Sequence, residues 1–396
     1  MRMKLDRVGS ALILVAVFLM NFLSRWIYSP LLLPIRDDLG LDLGQMGSLF
    51  LFMTVGYATA VLFSGYFAQR FMHRGAILTA AFGSGLITLA LSFAGSLWGL
   101  RIGLAILGIV TGLYMSSAMS SLTTLAPREH WGKVLALHEL APIVALLSAP
   151  LLVNTLLNTM DWRWILRVLS LACLATALLL IPNKEIGRSK GEAPGISHLR
   201  ELVTKPRFWL MFLGFATAIG SEVGTYAVLP TYLVSERGLP QVDVNRYVGL
   251  SRMTAFLAVM LSGNLRDRLG DRVVVTGVLA LTGVLTLLLG VAQGTFLIVV
   301  VFLQPSIMAA YFPAALAEIA GFSPAERRNV TFSLLFPGAY LLGAGVFPAF
   351  MGLLGEAGRF SQGFVFLGSW ALVLAFLGVS GGALPRRPER ETSLGD

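Results

Sequence analysis

Apolar residues in this chain do not alternate with polar ones at helical or strand spacing. They run nearly unbroken, as at 11–20 and 273–292. A soluble helix needs only one apolar stripe, because one face alone meets a core. A helix that crosses a bilayer needs about 20 mainly apolar residues in succession. Divided at turn and charge signals, the pattern predicts twelve such spans: 8–34, 44–70, 75–95, 97–122, 132–157, 162–182, 207–234, 244–266, 272–292, 294–320, 328–354 and 360–382. The break between spans 3 and 4 falls at Gly95 and Ser96, and that between spans 9 and 10 at Gln293 and Gly294, so each pair is expected as a tight hairpin. The one long polar stretch between spans lies between 183 and 206, with a short surface helix expected around His198 to Val203. The expected fold is an all-α membrane protein of twelve transmembrane helices in two pseudo-symmetric six-helix bundles. The first bundle is 1–183, the linker is 184–206, and the second bundle with a short tail is 207–396.

Composition agrees with this picture. The chain is 56% hydrophobic and 13% charged, against about 25% charged in soluble domains. The net charge of +9 gains its meaning from placement. With the N-terminus inside, 21 Lys and Arg fall in inner segments, 6 in outer ones and 3 within spans. Positive charge collects in the cytoplasmic loops of membrane proteins. Both termini are therefore expected in the cytoplasm, with the protein multi-pass in the inner membrane. The same bias explains the basic balance without nucleic acid, and no basic stretch is interleaved with aromatics as a nucleic-acid surface would need. The basic N-terminus runs into an apolar stretch that reaches Pro34. That is longer than the ~7–15 residues of a signal sequence, so we expect a retained first helix. The lone cysteine, Cys173, permits no intrachain disulfide.

Several chemistries lack their residues. There is no Gly-x-x-x-x-Gly-Lys-Ser/Thr loop for ATP, no His-Glu-x-x-His, and only four scattered histidines. We expect no enzyme activity, no metal and no cofactor.

The halves carry traces of a repeat, as duplicated transporters do. A shift of 198 residues places Tyr28 on Tyr226, Gly40 on Gly238, Leu41 on Leu239, Gly65 on Gly263, Arg70 on Arg268 and Arg74 on Arg272. A shift of 197 places Tyr114 on Tyr311 and Arg25 on Glu222.

The loop after span 8 reads Gly263-Asn264-Leu265-Arg266-Asp267-Arg268-Leu269-Gly270-Asp271-Arg272. It resembles the loop signature of the major facilitator superfamily, Gly-x-Leu-x-Asp-Arg-x-Gly-x-Arg. The first-half counterpart, Gly65 to Arg74, keeps Gly65, Arg70 and Arg74 but has Gln69 for the Asp and Met72 for the second Gly. The resemblance implies a gating role for these loops, with Glu318 near the inner end of span 10 as a further gate candidate. Arg101, followed by Gly103, Gly108 and Gly112, is similar to the family's Arg on that helix. Span 5 has Ala141-Pro142 and Ala149-Pro150 in place of the Gly-Pro motif of the drug antiporters. Asn21-Phe22-Leu23-Ser24-Arg25 is similar to a segment of the anion:cation symporter branch, with Ser24 in place of the acid.

Ionisable groups at membrane depth cost about 2.5–3.5 kcal/mol each on insertion scales, and they persist where they line a cavity or pair. Asn21, Arg25 and Tyr28 share one helical face of span 1, for a bound anion or a fixed acid. Glu222, with Tyr226 one turn on, sits mid-span 7 as a proton carrier or an arginine's partner. Arg252 lies mid-span 8 with no acid within one turn, and the resemblance implies a substrate role, as in the superfamily's monocarboxylate carriers. His138 and Glu139 on span 5 are second candidates for a proton relay, or a polar cluster at the inner surface. On span 10, Gln304, Met308, Tyr311, Ala315 and Glu318 share one face, for cavity lining or interhelical hydrogen bonding.

Together these residues point to a secondary carrier working by alternating access, taking up a small anionic solute with a proton. Substrate contacts are expected from Asn21, Arg25, Tyr28, Tyr114, Glu222, Tyr226, Arg252, Gln304 and Tyr311. The runner-up is an exporter of amphipathic or cationic compounds, and a third reading is a non-transporting receptor on a carrier fold. The expected partners are the solute, the proton and the bilayer. Nothing demands an oligomer, so a monomer is expected.

Overall fold

The computed structural model describes residues 5–191, 203–269, 271–308, 310–312, 315 and 328–380, of which 5–6, 128, 132, 207, 259–269, 271–272, 328–334 and 379–380 are described as backbone only. Helix occupies the described part of all twelve predicted spans. Span 1 is α1 (Leu5–Trp26) and α2 (Tyr28–Leu39). Spans 2 and 3 form one 49-residue helix, α3 (Leu43–Leu91), broken at Met72. Span 4 is α4 (Leu97–Gly112) and α5 (Tyr114–Leu125), span 5 is α6 (Trp131–Leu156), and span 6 is α7 (Trp162–Leu178). Span 7 is α8 (Pro206–Ile219), a π turn (Gly220–Gly224) and α9 (Thr225–Ser235). Spans 8, 9 and 10 are α10 (Gln241–Leu269), α11 (Asp271–Val291) and α12 (Gly294–Met308). Span 11 is α13 (Arg328–Leu341), a second π turn (Leu342–Val346) and α14 (Phe347–Glu356), and span 12 is α15 (Phe360–Ser380). Eight stretches among the described residues are long and apolar enough to cross a membrane.

Local sequence explains where the helices stop and start. Gly40 and Gly238, aligned by the 198-residue shift, both take a left-handed backbone, with φ of 63° and 68°. Each ends its span as only glycine does without strain. Asp42, Ser96 and Asp161 cap the helices that follow, and Asp42 forms a reciprocal box with Gln45. Gly56 of span 2 and Gly108 of span 4 each lie so close to the facing backbone that a Cβ would overlap it. Small residues are what allow membrane helices to approach this closely.

The predicted first gating loop turns out to be stapled within its own half. Met72, which stands where the signature has Gly, takes φ 63° and ψ 164°, a region that is nearly glycine-only. The linker runs alongside it. His73 N donates to Ser189 O (3.1 Å), Arg74 N to Gly187 O (2.9 Å) and Gly191 N to Ala68 O (3.2 Å). The Arg74 guanidinium donates to three carbonyls at the end of span 6: Asn183 (2.5 Å), Leu180 (3.1 Å) and Ile181 (3.1 Å). Arg74 therefore caps a helix C-terminus, where cations are favoured, and its partners among the described residues include no acid. Arg70 lies over the Phe71 ring at 5.6 Å. Gly270, Glu318 and all but the last residue of the expected surface helix at 198–203 lie outside the described residues, as do the side chains of Asp267, Arg268 and Arg272 and all but the backbone of Gly263.

Among the described residues, hydrogen bonds that join the halves gather at mid-depth and toward the face away from the basic loops. Ser29 Oγ donates to Tyr226 O (2.7 Å), Gln241 Nε2 to Pro30 O (3.4 Å), and Gly44 N to Glu356 Oε2 (3.1 Å). There Gly47 meets the backbone of Pro348 and Gly352 with no room for a Cβ. The seam between the halves is closed on that face.

Candidate functional site

Two buried arginines, one per half, define the centre. Arg25 is 1% exposed and Arg252 2%. Arg25 sits at the end of α1, with its guanidinium carbon 4.4 Å from the Tyr57 ring centre and 4.8 Å from that of Phe22. Its Nη1 donates to the Tyr340 hydroxyl of span 11 at 3.1 Å, which ties it to the opposite half. Tyr57 and Tyr340 pack ring to ring at 4.8 Å. Arg252 lies over the Tyr226 ring at 5.0 Å and makes no hydrogen bond among the described residues. Neither arginine has an acid within ion-pair distance among those residues. Rings stabilise a desolvated cation by ~2 kcal/mol, well short of what removing a charge from water costs.

The two sites approach each other through rings. Tyr226 meets Trp26, the residue after Arg25, edge to face at 6.2 Å, and Trp26 stacks on Phe50 at 5.8 Å. The Tyr226 hydroxyl donates to Leu146 O of span 5 (3.1 Å), a second tie across the halves.

Glu222 lies in the π turn of span 7. Such turns insert one extra residue into a helix and often mark functional positions. Here the turn leaves Glu222 partly accessible while Ser221, Val223 and Gly224 around it are buried. Its carboxylate has no hydrogen-bond donor among the described residues and stands within electrostatic range of Arg252, beyond ion-pair distance. The π turns of spans 7 and 11 pack together, with Gly224 against Gly343 O.

The remaining predicted residues sort by partner. Gln304 takes the bridging option, as its Nε2 donates to Ser221 O (2.6 Å) and Thr286 Oγ1 (3.3 Å). Tyr311 packs on Phe215 and its hydroxyl lies over Gly214. The Tyr114 hydroxyl donates to Leu14 O at 2.5 Å and lies 3.3 Å from His138 Nε2. His138 Nδ1 lies 3.2 Å from Glu139 Oε1, and its ring stacks on Phe18 at 4.2 Å. The ring of His138 thus lies between the Tyr114 hydroxyl and the Glu139 carboxylate. Asn21 is buried, and its amide nitrogen has no partner among the described residues. The Tyr28 hydroxyl is likewise buried without one, within electrostatic range of Cys173 on span 6.

Tyr57, Tyr340, Trp26 and Asn245 were not anticipated. The tyrosines and Trp26 stand in apolar runs and read as core. Asn245, seven residues before Arg252 and so on the same helical face, is buried with both amide atoms unpaired among the described residues. A lone amide in a span is its only sequence signal.

Comparison with known proteins places this architecture. The family model described as Major Facilitator Superfamily matches residues 14–259. A probable sulfoacetate transporter of Cupriavidus necator, SauU, is 27% identical over 281 residues, covering 65% of this chain and 64% of that protein. The multidrug resistance protein MdtG of Escherichia coli is 27% identical over 225 residues, covering 54% and 53%. The chain thus spans less than two thirds of the length of these curated relatives. Among solved structures, a bacterial homologue of the human lysosomal transporter Spinster superposes with a TM-score of 0.80 at 18% identity, over 95% of this chain and 97% of that one. A D-xylose–proton symporter gives 0.76 at 15% identity, over 94% and 97%. At these identities the structures speak for the fold alone. Matched by the family model over more than half its length, the chain belongs to the Major Facilitator Superfamily.

Proposed function

We propose that this transporter carries a small organic anion into the cell together with a proton, by alternating access of its halves, 1–183 and 207–396, as a monomer in the inner membrane with both termini and the basic loops cytoplasmic. One observation carries the reading: two guanidiniums lie buried in the spans, one from each half, with no acid among the described residues at ion-pair distance. Buried charges are tolerated when paired, and an anionic solute is the missing partner. Arg25 and Arg252 bind it. Tyr226, Asn21 and the rings around them shape the site, with Tyr28, Tyr114, Gln304 and Tyr311 in supporting positions. Glu222 exchanges the proton, and the His138–Glu139 pair is the second candidate. The loop at 263–272, with Glu318, gates the path, while the loop at 65–74 is braced against span 6 and the linker. The name of the Cupriavidus necator relative, a sulfoacetate transporter, supports the anionic class.

A thermal-shift screen of the purified protein in detergent tests this. Mono- and dicarboxylates, sulfonates, phosphates and cationic drugs are compared on wild type and Arg252→Ala. A ligand at ~100 times its dissociation constant stabilises by about 2.7 kcal/mol. Stabilisation of wild type alone by an organic anion is the expected result. The likeness to MdtG favours a second reading, export of amphipathic or cationic compounds. Stabilisation of both proteins by cations alone would establish that reading instead.

A further inference from the structure

The anion reading leaves open how many negative charges the solute carries, and the central residues bear on that number. Arg25 has Nη1 on Tyr340, and its Nε is buried with no partner among the described residues. Arg252 makes no hydrogen bond among the described residues, and its Nε is buried without a partner there. The arginines belong to opposite halves and approach through one ring contact, Trp26 to Tyr226. A solute with one acidic group satisfies one guanidinium and leaves the other buried and unanswered, and each unanswered charge in a closed site is costly.

The balance of charge sharpens this. Glu222 faces Arg252 from span 8, while span 10 presents the uncharged Gln304 beside Ser221 and span 11 presents glycines. Glu139 has its short contact with His138, at 3.2 Å, and lies within ion-pair distance of neither arginine. Two arginines and an ionised Glu222 leave the empty centre with one net positive charge. A singly charged anion neutralises that centre with Glu222 still ionised, so its passage calls for no proton. A doubly charged anion leaves one net negative charge, which a single proton on Glu222 removes. A proton on Glu222 and a second negative charge on the solute therefore require each other.

We propose that the cargo is a small two-headed dianion, with one acidic group on Arg25 and the other on Arg252, and that it travels with one proton carried by Glu222. This rests on the anion-carrier reading above.

The test uses anions that do not titrate near neutral pH: methanesulfonate with one charge, and 1,2-ethanedisulfonate with two. Binding to the full-length protein in detergent is followed by calorimetry in two buffers of different ionisation enthalpy, which reports protons taken up. In wild type, ethanedisulfonate binds about tenfold tighter or more, the scale of one added charge-assisted contact, and draws in about one proton, while methanesulfonate draws in none. Glu222→Gln keeps the preference for the dianion and takes up no proton. Arg25→Gln and Arg252→Gln each reduce the preference to about unity while still binding methanesulfonate.

Equal affinity for the two sulfonates in wild type overturns the two-headed cargo and leaves the anion carrier standing. Tight dianion binding with no proton uptake, or with uptake that persists in Glu222→Gln, overturns the assignment of the proton. If neither sulfonate nor any anion of the thermal-shift panel binds, the anion reading itself falls.

Discussion

The two halves repeat one plan but secure their charges differently. In the first half each key arginine is held. Arg25 lies against two rings and bonds Tyr340, and Arg74 donates to three carbonyls at the end of span 6. In the second half Arg252 rests on one ring without a hydrogen bond among the described residues. Glu222 sits in a π turn without a donor, and the π turn of span 11 packs beside it. Among the described residues, π turns occur only in this half. Helices interrupted in this way can change their local winding at lower cost than regular ones. On the proposed reading of an anion carried with a proton, the first half is a braced frame and the second holds the groups that respond to cargo and proton.

The sharpest way to break the comparison is to truncate both arginines. Arg252→Ala is expected to weaken anion binding by about 30-fold or more, the scale of ~2 kcal/mol for losing one member of a buried charge pair. Arg25→Ala is expected to weaken it less, by about tenfold, because one of its nitrogens already serves Tyr340. Titration of both variants with the anion found in the screen measures this, and equal losses would contradict the asymmetry.

Next in size is Arg74→Ala. Losing three bonds from a cation to backbone carbonyls is expected to lower stability by about 2 kcal/mol, read as a drop in melting temperature. Anion affinity should stay unchanged, because this arginine braces the frame. A shift in affinity with no change in melting would return it to the gate.

Tyr340→Phe separates stability from binding. The Arg25 Nη1 loses its acceptor, so the empty protein is expected to weaken by about 1 kcal/mol. An anion then supplies the missing acceptor, so its affinity should rise, by about fivefold. A fall in affinity would mean that the hydroxyl aids cargo binding directly.

The smallest effect is Met72→Gly. Relief of a backbone conformation that side chains disfavour is expected to stabilise by about 1 kcal/mol. A loss of stability would show that the Met72 side chain matters more than its backbone.

Much of the architecture was legible because a bilayer imposes a simple rule: long apolar runs become helices. The repeat was legible at Gly40 and Gly238, where backbone geometry demands the residue. The central charges were legible because Arg25, Glu222 and Arg252 stand out against apolar neighbours. Their partners were not. Tyr57 and Tyr340 lie 283 positions apart in the chain, and nothing local distinguishes a tyrosine that holds an arginine from one that fills a core. The π turn at Glu222 was hidden too, because it depends on packing against Gly343 rather than on propensity. Arg74 read as a gate residue by resemblance. Its carbonyl partners became visible only once the linker was seen to run beside it.

The most direct test of the central claim is uptake into proteoliposomes. The organic anion that stabilises wild type in the thermal-shift screen is supplied outside, with an acid-outside pH gradient, to wild type and Arg252→Ala. The account predicts accumulation that follows the gradient in wild type and is lost in the variant. Accumulation that survives in Arg252→Ala, or export of a cationic dye with no anion movement in wild type, would contradict it.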